Sequence, residues 1–211
     1  MVRPVTEDNM QDIQDLLDFW FDVDPSNAES LEQQYRRWFA STPEEDHALE
    51  QRFGSLARAA AAGELDPCSG SPQGRLALIL LLDQFPRNLW RGQAEAFAHD
   101  EKALALCLGG IDEGMPGKLS AIERVFFLLP LQHAESMAAQ DLSIHMYREL
   151  CNEPAPEPLA DALGNVADYA VAHHRIVQRF GRFPHRNEAL GRESTEEELE
   201  YLQSGGARFG Q

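Results

Sequence analysis

Basic residues are scarce in this sequence. Its 211 residues include 18 lysines and arginines against 35 aspartates and glutamates, a formal net charge of −17. A protein that binds nucleic acid non-specifically needs a basic surface that displaces counterions from phosphates, so we expect no nucleic-acid partner. Because 43% of the residues are hydrophobic, the composition also excludes a largely disordered chain and fits a domain with a substantial core.

Cysteines and long apolar runs are scarce as well. Cys68, Cys107 and Cys151 show no C-x-x-C spacing, which excludes a disulfide framework and a zinc knuckle. The apolar run from Leu76 to Leu82 is far shorter than the roughly 18–20 residues of a membrane span. The first residues lack the apolar core of a signal peptide. We therefore expect a soluble cytoplasmic protein with no membrane partner.

Signals for helix starts and ends recur along the chain. A hydroxyl followed three residues later by glutamate is the pattern of a capping box, proline at the first helical position reinforces a start, and glycine is typical after an end. The capping boxes are predicted at Ser26 with Glu29, Thr42 with Glu45, Ser120 with Glu123 and Ser194 with Glu197. The helix ends are predicted at Gly63, at Gly109 and Gly110, and at Gly181.

These signals predict an all-α fold. Alternation of apolar and polar residues, the signature of strands, is almost absent, and the apolar runs contain mainly leucine and alanine. We predict one domain over residues 1–211, with about nine or ten helices stacked as antiparallel hairpins because most connections are short. The helices 72–84 and 120–139 should lie at the centre of a right-handed stack. The predicted helices lie near 8–22, 27–40, 43–62, 72–84, 93–108, 120–139, 141–152, 157–181 and 195–203.

Two similar segments interrupt the acidic pattern. Residues 75–92 and 173–192 each contain an apolar helix, a Phe-Pro step, then arginine with asparagine, then glycine. Proline disfavours a helical conformation in the residue before it, so both steps predict a helix end. The first segment holds three bases and one acid, and the second holds five arginines and one acid, whereas residues 1–66 hold fifteen acids and five bases.

The two arginine-bearing segments allow two interpretations. If they face each other, Arg87 and Arg186 form a clamp suited to a carboxylate or phosphate ligand. Alternatively, Arg87 and Arg186 pair with internal acids, and Arg175 and Arg179 form a solvated helix face. The sequence leaves both interpretations open, as it leaves open whether the similarity of the two segments is a coincidence.

Asp83 lies at the C-terminal end of the most apolar predicted helix. The helix dipole disfavours an anion there, and an apolar environment disfavours any charge, so Asp83 should have a cationic or donor partner. Arg87 and Arg186 are the candidates, and Gln84 and Asn88 could complete the network. A buried pair that holds a loop and a group that positions a ligand are both compatible with this pattern.

A second polar group follows a proline inside an apolar helix. Pro130 removes a backbone N–H and predicts a kink or break. Directly after it come Gln132, His133 and Glu135. Histidine exchanges protons near neutral pH and a nearby carboxylate can tune it, so His133 and Glu135 are candidate catalytic residues. Alternatively, His133 is a structural hydrogen-bonding residue.

Other chemical signatures are weak. His173 lies on the buried stripe of its helix and is interpreted as a core residue. The sequence has no P-loop, no G-x-G-x-x-G, no G-x-S-x-G and no H-E-x-x-H motif, and no set of residues with convincing metal-ligand spacing. We therefore predict no cofactor and no metal.

Four strings carry a resemblance to a known family: DFWF at 18–21, LALILLLDQFPRNLWRG at 76–92, LPLQHAES at 129–136 and RFGRFPHRNEALGREST at 179–195. In this order and spacing the chain, from Asp12 to Phe209, resembles a bacterial family filed as domain of unknown function number 924. The resemblance implies a fold similar to the tetratricopeptide-like helical superfamily, and it implies no activity. The polar residues at matching motif positions are Asp83, Gln84, Arg87, Asn88, His133, Glu135, Arg182, His185, Arg186 and Asn187.

Two functional hypotheses follow. In the first, these polar residues converge on a pocket for a small anionic ligand, with His133 as acid or base in proton transfer or hydrolysis and with Arg87 and Arg186 as the anion clamp. In the second, the chain is a tetratricopeptide-like interaction module that binds a protein or peptide, and the same residues fasten helix ends. The second hypothesis requires an exposed aromatic groove. Its candidate residues are Phe19, Trp20, Trp38 and Phe39.

Overall fold

The computed structural model describes residues 7–210, and every regular element in that range is helical, which confirms the all-α class. The ten α-helices of this range are α1 (Glu7–Trp20), α2 (Ala28–Phe39), α3 (Pro43–Ala61), α4 (Pro72–Ile79), α5 (Phe85–Leu89), α6 (Asp100–Asp112), α7 (Ala121–His133), α8 (Met137–Cys151), α9 (Glu157–Phe180) and α10 (Glu196–Gln203). Short 3₁₀ turns cover Asp66–Gly70, Ala94–Phe97, Pro116–Lys118 and Pro184–Arg186, and a π-helical turn covers Leu80–Gln84.

Two of the predicted helix caps are confirmed. The hydroxyls of Thr42 and Ser120 accept hydrogen bonds from the backbone N–H groups of Glu45 and Glu123, and the two glutamates bond back to the cap residues. These reciprocal bonds satisfy N–H groups that have no partner within the helix. They fix the starts of α3 and α7.

The two other starts lie one residue beyond their predicted positions. The Ser26 hydroxyl bonds within the preceding turn, and the side chain of Asn27 caps α2. At α10 the capping box is formed by Thr195 with Glu198, not by Ser194 with its own glutamate. Before α10, a serine and a threonine precede consecutive glutamates, so each hydroxyl has a glutamate three residues later. The sequence alone could not choose between these two capping boxes.

The glycine signals are correct at two places and wrong at one. Gly63 and Gly181 follow α3 and α9 with φ values of 80° and 72°, in the left-handed region that glycine tolerates. Gly109 and Gly110 lie inside α6, so the helix end predicted there is wrong. α6 instead ends just before Gly114, which has φ of 66°.

We predicted that the most apolar helix ends at its Phe-Pro step, and this prediction is wrong. α4 continues through the π-helical turn directly into α5, and Pro86 stands at the start of α5. In the π turn the Phe85 N–H bonds to the carbonyl of Leu80, five residues back. This wider turn accommodates a proline that lacks an N–H and crowds the preceding carbonyls. At the other Phe-Pro step, α9 ends before Pro184, as predicted.

Two predicted helices have different bounds in the structure. The helix predicted over 120–139 is two helices, because α7 passes Pro130 and ends at His133 before α8 begins. The side chain of Gln140 donates to three carbonyls around the end of α7 at 2.7–3.3 Å, so these groups need no further helical turn. The helix predicted over 93–108 begins later, after a 3₁₀ turn.

The centre of the fold is α4 with the π turn. The side chains from Leu76 to Leu82 are at most 1% exposed, and these elements contact α1, α3, α6 and α7. Consecutive helices from α6 to α9 pack on one another, and α2 lies across α9. The packing brings α2, the π turn, α7 and α9 around one region of the molecule. Within residues 7–210 no helix combines the length and the hydropathy needed to cross a bilayer.

Candidate functional site

A buried aspartate bonds a histidine at the centre of the fold. Asp83 lies in the π turn, and its side chain has no solvent exposure. Its Oδ1 lies 2.7 Å from Nδ1 of His133, the last residue of α7, and 3.2 Å from a guanidinium nitrogen of Arg87. Gln84 donates to its Oδ2 at 2.6 Å. The cationic partner of Asp83 is therefore Arg87, one of its two predicted partners.

The protonation state of this pair follows from its surroundings. Burial by itself would raise the pKa of Asp83, but Arg87 and His133 outweigh burial and hold that pKa well below its ordinary value. Burial lowers the pKa of His133 and Arg87 lowers it further, against the opposing effect of Asp83. A neutral His133 carries its proton on Nδ1, because the carboxylate it contacts can only accept. Its Nε2 then carries a lone pair, and no side chain among residues 7–210 bonds to that atom.

A second carboxylate joins the two arginine-bearing segments. Asp100, at the start of α6, accepts two bonds from Arg87 at 2.8 and 2.9 Å and one from Arg186 at 3.0 Å. Both guanidinium groups lie over the ring of Phe97, and Arg186 also donates to the carbonyl of His133 at 3.0 Å. The two segments do converge in space. Of the two interpretations of Arg87 and Arg186, the structure shows the pairing with internal acids, because both arginines hold the carboxylate of Asp100.

A cavity of about 200 Å³ opens beside His133. Four of the predicted site residues, Gln84, Arg87, Asn88 and His133, line it, and Asp83 lies behind the histidine. The polar part of the wall contains Gln84, Arg87, Asn88, Arg91, Gln132, His133 and His173. The apolar and aromatic part contains Tyr35, Trp38, Phe39, Leu129, Val166, Tyr169 and Phe209.

The segment after α10 closes one side of the cavity. The ring of Phe209 stacks on His173, with 3.6 Å between centroids and 15° between planes, and lies 6.4 Å from the ring of Tyr169. Phe209 has φ of 52°, a conformation that few residues of its size adopt. A Cβ atom built on Gly210 would lie 3.9 Å from the carbonyl oxygen of Phe39. The segment therefore spans the cavity from α9 to α2.

His173 is both a buried residue, as predicted, and part of the cavity wall. It is 5% exposed, and its Nδ1 donates to the carbonyl of Tyr169 at 2.7 Å. Burial, together with the neighbouring His133, lowers the pKa of His173 to about 3. The ring is therefore neutral near pH 7, which suits its stacking against an aromatic side chain.

Asn88 and Arg91 extend the polar wall away from His133. Asn88 donates to Ser41 and Asp46 at 3.1 and 3.2 Å, and Nη2 of Arg91 donates to the same two side chains at 2.8 and 3.0 Å. The Arg91 side chain is 35% exposed, against 9% for Arg87. Arg91 was not among the predicted site residues, although it belongs to the positive segment that the charge pattern had indicated.

Three predicted site residues belong to a separate network beyond the end of α9. Arg182 donates to Glu198 at 2.7 and 2.8 Å, and Asn187 donates to the same carboxylate at 3.2 Å. Glu135 accepts from Arg192 at 2.6 and 3.0 Å and from a backbone N–H at 2.7 Å. None of these side chains lines the cavity beside His133. The carboxylate that bonds His133 is Asp83, not the predicted Glu135.

His185 and Arg186 also lie outside the cavity wall. Burial, with the nearby positive charge of Arg186, lowers the pKa of His185 to about 3. Burial and the proximity of Arg87 lower the pKa of Arg186 to about 10, which leaves it charged at neutral pH. Arg186 contacts the site indirectly, by donating hydrogen bonds to Asp100 and to the carbonyl of His133.

The aromatic groove required by the interaction hypothesis is not open at the candidate residues. Trp20 and Trp38 are 3% and 6% exposed, and Phe19 packs against the core. Phe39 is 37% exposed at the edge of the cavity. Three of the four aromatics thus pack within or against the core. Among residues 7–210, no three histidine, cysteine, aspartate or glutamate side chains are grouped as a metal site would require.

The sequence profile of a family described as "Bacterial protein of unknown function (DUF924)" matches residues 16–206. The chain belongs to the DUF924 family. The resemblance carried by the four sequence strings is thereby confirmed, whereas the tetratricopeptide-like assignment stays a prediction.

A solved structure extends this comparison of the DUF924 chain to its fold. The structure of a protein of unknown function, ATU0120 from Agrobacterium tumefaciens, is 37% identical in sequence and superposes with a TM-score of 0.76. The match covers 92% of this chain and 97% of that chain. No curated protein matches. The helical architecture is thus similar to a solved one.

Proposed function

We propose that the cavity beside His133 binds a small anionic ligand and that His133 exchanges a proton there. The reaction class is proton abstraction from the ligand, or hydrolysis by a water molecule that His133 activates. The proposal rests on one observation: Asp83 occupies Nδ1 of His133 at 2.7 Å, and Nε2 of this ring, which lines the cavity, has no partner among residues 7–210.

The buried pair suits this role in three respects. The lowered pKa of His133 keeps its Nε2 lone pair available as a base at neutral pH. The hydrogen bond to Asp83 holds one tautomer and one ring orientation. When the ring accepts a proton, the adjacent carboxylate stabilises the imidazolium, as in other Asp–His arrangements. Asp83 itself stays ionised, because its pKa is lowered.

The charge of the cavity wall supports an anionic ligand. Arg87 and Arg91 line the cavity, and no aspartate or glutamate among residues 7–210 does so. The chain as a whole carries a net charge of −17, so this wall is an exception to its composition. With Arg87 engaged by Asp100, Arg91 is the more accessible cation. We assign the anion-holding role to Arg91 in place of the expected clamp of Arg87 and Arg186.

The alternative proposal is a tetratricopeptide-like module that binds a protein or peptide. Its support is now limited to the exposed part of Phe39 and to Tyr169, which is 51% exposed at the same cavity. A cytoplasmic location also remains a proposal. It is supported by Cys68, Cys107 and Cys151, which are all free thiols, as a reducing compartment requires.

A ligand screen combined with one substitution tests the enzymatic proposal. Thermal unfolding is followed with small carboxylates, phosphates and nucleotides, and hydrolysis of 4-nitrophenyl acetate and 4-nitrophenyl phosphate is followed at pH 7. We expect at least one anion to raise the midpoint. We also expect His133→Gln to lower the hydrolysis rate by roughly 100-fold or more, the usual contribution of a positioned acid or base.

The chain offers a matched control for this experiment. His174 bonds the carboxylate of Asp141 at 2.9 Å, in an Asp–His pair whose aspartate is 68% exposed. His174→Gln therefore removes the same chemical group from a surface pair and should leave both the rate and the ligand response unchanged. Equal hydrolysis by the wild type and His133→Gln would contradict a proton-transfer role for His133.

A further inference from the structure

We infer that the ligand of this cavity is a single aromatic ring carrying one carboxylate group. The inference rests on the proposed function, because it names the ligand class of the same cavity. It adds three properties that the proposed function does not specify: the size of the ligand, its aromatic part, and the kind of anionic group.

The size of the cavity matches a ligand with one ring. An apolar protein cavity of about 150 Å³ holds benzene. The cavity beside His133 measures about 200 Å³, which holds one ring and adds room for one small substituent. Nucleotides and other drug-sized molecules need larger pockets, of roughly 300 Å³ or more.

Aromatic side chains of α2, of α9 and of the segment after α10 line the apolar part of the cavity. On α2 the rings of Tyr35 and Phe39 lie 4.7 Å apart at 53°, and the rings of Tyr169 and Phe209 lie 6.4 Å apart at 66°. Burial raises the pKa of Tyr35, and Tyr169 raises it further. Tilted rings offer both faces and edges to a planar ring placed against them.

Arg91 determines the kind of anion. Both of its hydrogen bonds use Nη2, toward Ser41 and Asp46, which leaves Nη1 and Nε without a partner among residues 7–210. Nη1 and Nε point to opposite sides of the guanidinium group, so Nη1 can donate one charge-assisted hydrogen bond to a carboxylate oxygen. Because Asp46 already offsets part of the Arg91 charge, a group with one negative charge fits better than a doubly charged phosphate. The structure thus favours an aryl carboxylate over an aryl phosphate.

Binding of simple probes tests each property separately. Titration calorimetry with the wild-type protein compares benzoate with benzamide, acetate, 2-naphthoate and phenyl phosphate. We expect benzoate to bind more tightly than acetate by about tenfold or more, because the ring buries apolar surface. Benzamide has the same shape without the charge and should bind about tenfold more weakly. Naphthoate and phenyl phosphate should also bind more weakly than benzoate.

Substitutions of Arg91 and Tyr169 should separate the contribution of the charged side of the cavity to affinity from that of the aromatic side. Arg91→Gln should weaken benzoate by about tenfold and leave benzamide unchanged, and Arg91→Lys should give an intermediate loss. Tyr169→Ala should weaken benzoate and benzamide alike. Arg148→Gln removes an arginine of α8 outside this cavity and should change neither affinity. Thermal midpoints of each variant show whether it is folded.

The outcomes distinguish this inference from the proposed function. If acetate or phenyl phosphate binds as tightly as benzoate, or if Arg91→Gln affects benzoate and benzamide equally, the aryl carboxylate assignment is overturned. The nitrogen resonances of His133, assigned by their absence in His133→Gln, are observed in the same titrations. If benzoate binds as expected while these resonances do not move, the ligand class stands and the proton-transfer role of His133 fails.

Discussion

An ionised carboxylate that has no contact with water, as at Asp83, is stable only where opposite charges and hydrogen bonds replace its hydration. Asp83 has Arg87 and His133 at one oxygen and Gln84 at the other. Those partners lie in the π turn, in α5 and at the end of α7. Asp83 therefore joins the central helical segment to α7. It is a structural element of the fold and at the same time the group that orients His133.

Asp83→Asn tests the structural contribution of this charge. The amide keeps the size of the side chain but removes the negative charge that lies 3.2 Å from the buried guanidinium group of Arg87. We expect the free energy of unfolding to fall by about 3 kcal/mol, measured by urea denaturation, because breaking a buried ion pair leaves charge uncompensated. Asp141→Asn, at the exposed pair with His174, should have little effect. An unchanged stability would show that Asp83 is not a buried ionic partner.

The sequence was sufficient to single out Asp83 but not Asp100. An acid at the C-terminal end of an apolar helix is unfavourable there, and that local conflict predicted a partner. Asp100 stands in the first turn of α6, where an acid is favourable, so nothing in its neighbourhood marks it as unusual. Its bond with Arg186 joins residues 86 positions apart in the chain. Only the tertiary structure reveals such a partner.

Among the elements, the π turn is one feature that sequence rules predicted wrongly. The proline rule is local: it states that the residue before Pro86 avoids the helical region. The structure accommodates Pro86 within the helix in another way: the N–H of Phe85 bonds to a carbonyl five residues back, and the wider turn leaves room for the proline. Continuous burial of the flanking leucines keeps the segment helical against that local preference. The same turn places Asp83 opposite the end of α7.

The contact between α6 and α7 makes a prediction at the scale of elements. A Cβ atom on Gly110 would lie 2.4 Å from a ring carbon of Phe127, a buried side chain of α7 with little room to move. Gly110→Ala should therefore reduce the free energy of unfolding by about 1–3 kcal/mol, the usual cost of overpacking. Chemical denaturation measures the change.

The neighbouring glycine provides the control. A Cβ atom on Gly109 would meet only the end of the Arg75 side chain, at 3.2 Å. Alanine is favoured over glycine inside a helix by up to about 1 kcal/mol. Gly109→Ala should thus leave the stability unchanged or raise it. A similar loss for both substitutions would contradict the close packing of Gly110 on Phe127.

At the scale of the whole molecule, the cavity depends on contacts that no sequence window contains. Its wall combines α2, the region of the π turn, α7, α9 and the segment after α10. The positive segments were visible in the sequence, since their charge stands out from a chain with a net charge of −17. On the aromatic side, Trp38 and Phe39 were candidates for a groove, but Tyr35, Tyr169 and Phe209 carry no local signal that distinguishes a cavity wall from a core.

Burial of neutral histidines around this region makes the stability of the whole molecule depend on pH. The pKa values of His173 and His185 fall from an ordinary 6.5 to about 3. Below pH 6.5 the unfolded chain takes up protons that the folded chain does not, so the stability is complete above pH 6.5 and decreases as the pH falls toward 3. Each histidine contributes up to about 1.4 kcal/mol per pH unit in that window.

His173→Gln isolates one of these contributions. Urea denaturation between pH 7.5 and 5 gives the free energy of unfolding of both proteins, and the difference at pH 7.5, where His173 is neutral in both states, measures the structural cost of the substitution. Between pH 6 and 5 the stability of the variant should decline less steeply than that of the wild type, by up to about 1.4 kcal/mol per pH unit. Carboxylates titrate mainly below this range and are common to both proteins, so their contribution cancels. Equal slopes would mean that the His173 ring is protonated in the folded state, which its stacking beneath Phe209 and its burial do not allow.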